Sequence, residues 1–321
     1  MAKQRWFSIR RDMTPRARLA LGIASFLLPL LLWCIVSYVP FVWHPKVLIS
    51  DPGAVDYMEP GMLVDKDVFN DEVRNMRQEK LAPPKGSPAN PVYLPAPHEV
   101  AKAFYTAFTT PPAQSDDPWL HQSLWHSIKI IFWGFLLSSV IGVPLGIICG
   151  TYGRLARLVE PFIEFFRYLP APAFGALMVA ILGIYDGPKV AIIVIGTLFQ
   201  QVLVIANTAR KLDFTLLEAA MTLGTTRFKL ITHVVVPGIL PDLYRDQRIL
   251  LGWAWTYLIV AELVGTSSGI TWFITQQARY QHFDNVYAAI MMIGILGLGF
   301  DLLLARLGKR LFPWDQATGK A

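Results

Sequence analysis

The residues capable of chemistry in this sequence are few, and most lie inside long apolar runs. Glu262 and Asp301 are carboxylates in such runs. A charge at mid-bilayer costs about 2.5–3.5 kcal/mol on insertion scales, so each must face protein or water. Glu262, near the end of its run, either lines a polar path or holds two helices together. Asp301 is close enough to Arg306 in sequence for a local pair. Gln200 and Gln201 bring polarity without charge and could line a path, as could Trp253, Trp255 and Thr256. Tryptophans near the ends of apolar runs are, however, commonly interface anchors. Arg167, just before Pro170 and Pro172, could attract an anion or a lipid headgroup. The two cysteines, Cys34 and Cys149, sit singly in apolar runs, which suits small buried residues better than a nucleophile or a disulfide. The six histidines are scattered, and neither H-E-x-x-H nor a paired-Asp arrangement occurs. No catalytic residue and no metal site is therefore expected. No G-x-x-x-x-G-K-[ST] loop is present either, so the chain cannot itself cradle nucleotide phosphates in the P-loop manner.

The elements that must position these residues are membrane spans. Only 16% of the 321 residues are charged and 54% are hydrophobic, where soluble chains carry about 25% charged residues. Runs of roughly 17–25 apolar residues cross a bilayer as helices. Six qualify, at about 19–39, 124–149, 160–183, 189–207, 249–266 and 285–307. They are continuously apolar rather than alternating, which disfavours a barrel. The first follows a basic leader but is long for a signal core and lacks an A-x-A site, so it reads as a retained span. The net charge of +6 would suit nucleic acid only if the cations formed one patch. They cluster instead at the ends of the runs, from Lys3 to Arg18, at Arg154, Arg157 and Arg167, from Arg210 to Arg248, and from Arg306 to Lys320. The positive-inside rule then places both termini in the cytoplasm of a multi-pass membrane protein. Residues 44–120 lie outside; from His44 to Val100 they hold nine prolines, nine acidic and six basic residues. Phe69, Val73 and Met76 at helical spacing suggest one short amphipathic helix, the rest being an irregular, proline-stiffened strap. That segment serves either as a lid or as a docking surface. The expected organisation is residues 1–43 (N-terminus and first span), 44–120 (extension), 121–314 (five-span core) and 315–321 (tail).

Between two of the most apolar runs the sequence keeps a polar, helix-coded stretch, "TLLEAAMTLGTTRFKLITHVVVPG". Thr215 and Glu218 have the spacing of a capping box. Leu216, Ala220 and Leu223 share one face, and Gly224 suits the left-handed residue that ends a helix. Thr226 can cap a second helix carrying Phe228, Ile231 and Val235, and Pro237 and Pro241 are expected to bend the chain toward the next span. A short surface helix, a glycine turn and a lead-in helix result, with the small Ala219–Ala220 pair allowing close approach by another protein.

Glu218-Ala219-Ala220, Gly224 and Val234-x-Val236-Pro237 resemble the EAA loop of ABC importer permeases, with valines in place of the usual Ile and Leu. "YLPAPHEVAKAF", "IGVPLGIICG", "ILGIYDGPKV", "GWAWTYLIVAELVGTSSGI" and "KRLFPW" are similar to the nitrate, sulfonate and taurine subgroup across roughly residues 92–314. Thr271 departs from the glycine usual after "SGI". The resemblance implies an all-α, six-helix type I importer permease fold with a Pro-rich extracytoplasmic extension. The loop at about 211–243 would couple to a cytosolic ABC ATPase through Thr215, Leu216, Glu218, Ala219, Ala220, Leu223, Gly224 and Pro237. ATP and Mg would be held by that partner and no cofactor by this chain. Substrate would arrive on an extracytoplasmic binding protein and cross between two copies. A secondary transporter or an intramembrane enzyme are the competing classes; the first lacks matching broken helices in the two halves and the second lacks a nucleophile–base pair.

Overall fold

The computed structural model describes residues 14–39, 42–111, 118–264 and 268–315. The basic leader from Lys3 to Arg11, most of the expected tail at 315–321, and Gly265 to Ser267 of the loop after the fifth run lie outside them. The chain divides into two compact units.

In the first unit, α1 (Pro15–Tyr38) is capped by Thr14 Oγ1, which accepts from the Ala17 N–H at 3.3 Å. The expected irregular strap proves to be folded. Strands β1 (Lys46–Asp51), β2 (Leu63–Asp65) and β3 (Lys85–Ala89) form an antiparallel sheet in the order β2-β1-β3, and α2 (Lys66–Gln78) follows β2 directly. The all-α expectation therefore fails locally. Alternation explains why: Val47 and Ile49 turn to one side and are buried with Val55, Met58 and Val64, and Phe69 and Met76 of α2 pack onto this cluster. Val73 lines the open outer face of α2 instead. The prolines sit where a strand tolerates them, Pro88 on edge strand β3. Helix α3 (Pro97–Thr109) begins after a loop that holds α1: Trp33 Nε1 donates to Pro95 O at 3.1 Å, and the Tyr38 hydroxyl lies 2.7 Å from His98 Nδ1.

The second unit contains α4 (Leu120–Thr151), α5 (Gly153–Arg167), α6 (Gly175–Leu182), α7 (Asp186–Arg210), α8 (Phe214–Thr222), α9 (Arg227–Leu230), α10 (Val236–Val264), α11 (Ile270–Arg279) and most of α12 (Phe283–Leu311). Among the described residues four helices, α1, α4, α7 and α12, are long and apolar enough to cross a membrane. The run expected as one helix over 160–183 is instead α5 and α6, bent by 84° across a 3₁₀ turn at Ala171–Phe174. Pro170 and Pro172 supply the break, since neither has an N–H to continue a ladder and each restricts the residue before it. The fifth run starts earlier than expected. Pro237 and Pro241 lie inside α10 and do not redirect the chain there. A π turn at Ile231–Val235 joins α9 to α10, with the Val236 N–H bonded to Ile231 O. The wider turn accommodates a proline ring that would otherwise press on the preceding turn.

Helix α4 lies against α7 more extensively than any other two elements meet. Gly134, Ser138, Gly142, Gly146 and Gly150 recur every fourth position on α4, one small residue per turn on one face. The fit is close: a Cβ at Gly134 would stand 2.6 Å from Ile193 Cγ2, at Gly146 2.8 Å from Ile205 Cβ, and at Gly150 2.5 Å from Ala209 Cβ. Small residues let backbones approach closely, and dispersion rather than hydrophobicity then drives association in lipid. Ile205 and Ala209 continue into a core with Ile147, Val235, Ile239 and Leu243. We expect Gly146→Val to destabilise the chain by about 1–3 kcal/mol, the usual cost of overpacking. Gly294→Ala, which meets nothing within 4 Å, should be silent. Thermal unfolding of both variants in detergent checks the pair.

Candidate functional site

The 211–243 segment begins with a cap that the sequence reading misplaced. Thr215 is not the N-cap of α8; Asp213 is, and its Oδ1 accepts from the Thr215 N–H at 2.9 Å. The expected Thr215–Glu218 box is replaced because a carboxylate two residues before the threonine bonds the first-turn amide more strongly than a hydroxyl does. That backbone hydrogen bond holds the Asp213 carboxyl below its ordinary range. The cap is thus intact at neutral pH and is lost only as pH falls through that lowered value.

Helix α8 ends as expected. Gly224 has φ +77°; its N–H bonds Met221 O at 3.0 Å and the Thr225 N–H bonds Ala220 O at 3.1 Å, a Schellman arrangement that satisfies the last carbonyls. Thr226 occupies the N-cap of α9, but its side chain makes no capping bond. One side of this element is fastened down: Leu217, Leu212 and Ile231 pack on the Ile147–Ile205–Val235 core. The other side is open and apolar. Phe214, Leu216, Met221 and Phe228 are exposed, and Leu223 is 87% exposed. Glu218 and Ala219 are exposed beside them, and Ala220 is half-buried.

Polar bonds fasten the helices around this element. Glu160 on α5 pairs with Arg210 at the end of α7. Thr208 Oγ1 donates to Asp246 Oδ2 at 2.5 Å, and the Tyr244 hydroxyl donates to Leu304 O at 2.8 Å. Asp301 does not pair with Arg306. It receives Arg248 Nε and Nη2 at 3.0 and 2.9 Å, joining α12 to α10. Arg245 pairs with Asp242 and, at 2.5 Å, with Asp315.

The residues expected along a path divide into two groups. Gln201 is 0% exposed and links three helices: its Oε1 accepts from Ser138 at 2.6 Å, and its Nε2 donates to Ser139 Oγ and to Gln247 Oε1, both at 2.8 Å. Glu262 is also buried. It accepts from Ser127 Oγ at 2.5 Å and from the Thr271 N–H at 2.8 Å, while Ser127 accepts from the Ile270 N–H at 2.9 Å. The carboxylate and the Ser127 hydroxyl thereby satisfy the first two amides of α11, and the charge complements its dipole. Both residues face neighbouring helices rather than an open path. Gly269 is required there, with φ +104° and room for a Cβ only 2.1 Å from Glu262 Oε1. Gln200 is half-buried on α7; Trp253 and Thr256 are exposed on one face of α10, and Trp255 is half-buried with its ring 6.0 Å from that of Phe300.

Sequence reasoning missed Lys189, which is 1% exposed. Its Nζ donates to Ser268 Oγ at 2.8 Å and lies 3.4 Å from Asp186 Oδ1, while His126 Nε2 is 2.9 Å from the same carboxylate oxygen. The one local signal was Asp186 and Lys189 at i and i+3 at a span's start.

Long apolar helices held by close small-residue packing, with a short capped helix left apolar and exposed, define a multi-pass membrane protein. Residues 142–313 match the family model for the binding-protein-dependent transport system inner membrane component. The chain belongs to this family, the permeases of ABC importers. A probable ABC transporter permease protein of Brucella abortus is 31% identical over 226 residues, 70% of this chain and 87% of that protein. The taurine transport system permease protein of Escherichia coli is 28% identical over 225 residues, 70% of this chain and 81% of that one. A chain of the inward-facing methionine ABC transporter shares the fold, with TM-score 0.53 and 21% identity over 60% of this chain and 94% of that chain.

Removing the Glu262 carboxylate should leave the Thr271 amide and Ser127 unpaired, at about 1–3 kcal/mol for each unsatisfied group. We expect Glu262→Leu to lower the melting temperature well below that of Glu262→Gln, which keeps an acceptor oxygen. Thermal melts of the purified variants compare them.

Proposed function

We propose that this chain is the membrane-spanning half of an ATP-driven importer for a small anion, a sulfonate such as taurine or an oxyanion such as nitrate. An extracytoplasmic binding protein delivers the solute, and two copies of the chain enclose its path. The observation carrying the reading is the exposed apolar surface of Phe214, Leu216 and Met221 on α8, a helix of about 14 Å that is too short to cross a bilayer, continued by Leu223 at its C-cap and Phe228 on α9. An exposed apolar patch rimmed by polar groups marks a protein contact, and a cytosolic ATPase is the partner that the EAA-like motif favours. The Ala219–Ala220 pair lets that partner approach, and Asp213 and Gly224 fix the helix's ends. Movement of α8 would pass through Leu217 into the core and through the π turn into α10. The substrate class rests on the likeness to the taurine permease and its subgroup. In this reading the crossings are α1, α4, the bent α5–α6 pair, α7, α10 and α12, with both termini and α8 in the cytoplasm and the 44–120 extension outside.

We expect Gly224→Asp, which forces a side chain into a left-handed turn, and Glu218→Lys to leave the protein in the membrane but to separate ATP hydrolysis from uptake. Normal uptake with normal substrate-stimulated ATPase activity in both variants would refute the coupling role. The orientation has its own check. A single cysteine at Asp71 should react with an impermeant thiol reagent on intact cells, and one at Thr225 should react only after the cytoplasmic face is opened. The reverse labelling pattern would invert the topology.

A further inference from the structure

The helix break between α5 and α6 carries an unclaimed cation. Glu160 of α5 pairs with Arg210 at one end of α7, and the Phe166 ring lies 5.3 Å from that of Phe199 on the same helix. Helix α5 therefore runs along α7 from its Arg210 end toward Phe199; its six residues advance about 9 Å, against about 17 Å of α7 between the two contacts, with about 20 Å of α7 remaining to Asp186. Arg167 is the next residue after a side chain packed near the middle of α7, a position at mid-depth if α7 crosses the bilayer, rather than among the end-of-span cations where its sequence position suggested. It is exposed, and among the described residues its side chain meets only Tyr168: Nη2 donates to the hydroxyl at 3.2 Å, and the guanidinium lies 4.8 Å from the ring centre. Glu160 is committed to Arg210. Glu164, one turn nearer that end, is exposed and forms no ion pair with Arg167.

A guanidinium at mid-depth without a carboxylate is costly against lipid and is retained where it meets water or an anion. The 84° bend places it at discontinuous backbone, the kind of backbone tolerated at that depth only where it is buried or borders a cavity. We propose that Arg167, steadied by the Tyr168 ring, is an anion-contact residue on a water-filled path at the α5–α6 break, taking a sulfonate or planar oxyanion in transit. The guanidinium fork matches such oxygens two at a time, whereas the interfacial Gln201 and Glu262 offer no open face. This assignment rests on the transport reading above.

The test uses the transporter assembled with its ATPase and binding protein in proteoliposomes, in a Cys34→Ala, Cys149→Ala background. Labelled taurine and nitrate are the transport probes. Arg167→Gln should cut uptake about tenfold or more, the scale of local anion concentration lost with such a field, while Arg167→Lys recovers much of it. Unchanged uptake in Arg167→Gln would overturn the proposal. A second arm needs no substrate. Tyr168→Cys should react with an anionic sulfonatoethyl thiosulfonate faster than with its trimethylammonium counterpart. Arg167→Gln should lower that ratio about tenfold, and Glu164→Gln should raise it. A Tyr168→Cys thiol unreactive to both reagents, or a ratio indifferent to Arg167, would overturn the proposal. Failure of the unsubstituted complex to take up either probe would remove the substrate reading instead, and the thiol arm would then decide the Arg167 assignment.

Discussion

The close approach of α4 to α7 is the constraint on which the bundle depends. In lipid there is no hydrophobic gain in bringing two apolar helices together, so the contact must be tight to hold at all. A small residue at every turn of one α4 face makes it tight, and Ile193, Ile205 and Ala209 fill the room those residues leave. A polar place within this seam, Ser138 against Gln201, has both side chains hydrogen-bonded. Because Gln201 also reaches Gln247 on α10, the tightest helix pair recruits the third helix at its midpoint and fixes the rotation of all three.

Away from that seam, polar fastenings concentrate at the two ends of the unit. At one end Glu160–Arg210, Thr208–Asp246 and Arg248–Asp301 join α5, α7, α10 and α12 around the root of α8. At the other, Glu262, Ser127, Lys189, Asp186 and His126 organise the start of α11. The mobile work of a transporter needs rigid ends and a yielding middle, since packed interfaces switch between discrete arrangements rather than deform continuously. The α5–α6 break leads from Phe166, packed against Phe199, to Gly175, packed against Val264 beside the second zone.

What the sequence revealed and concealed follows from the range of the interactions involved. Four of the spans and the glycine ending α8 were readable, because continuous apolarity and a left-handed turn are local properties. The sheet was concealed by its shortness: β2 has three residues, and the prolines beside it read as loop. Thr215 reads as the cap because it has a glutamate three residues on, whereas Asp213 needs only the Thr215 amide. Asp301 and Arg306 looked like a pair because they are near in sequence. Five positions carry a side chain about 140° around a helix, so they point apart, and the true partner Arg248 is far off in the chain. Lys189 could not have been identified as buried, since its acceptor Ser268 becomes its neighbour only after folding. Arg167 is legible as a cation beside two prolines, but its depth depends on how α5 lies along α7.

The π turn at Ile231–Val235 also sets a phase. A π turn is an α-helix holding one residue more than its own repeat can absorb. Everything beyond it is rotated by about 100° relative to an unbroken helix. The angular position of Asp246, Gln247, Arg248 and Glu262 around α10, as seen from α8, is therefore encoded by a single supernumerary residue. Relaxing that turn to ordinary pitch would spin the whole rod and carry each of the four away from its partner without altering any of their side chains. The turn thus acts as an indexing device: the lever and the span it drives are keyed to each other by residue count, in the manner of a gear set one tooth from its neighbour.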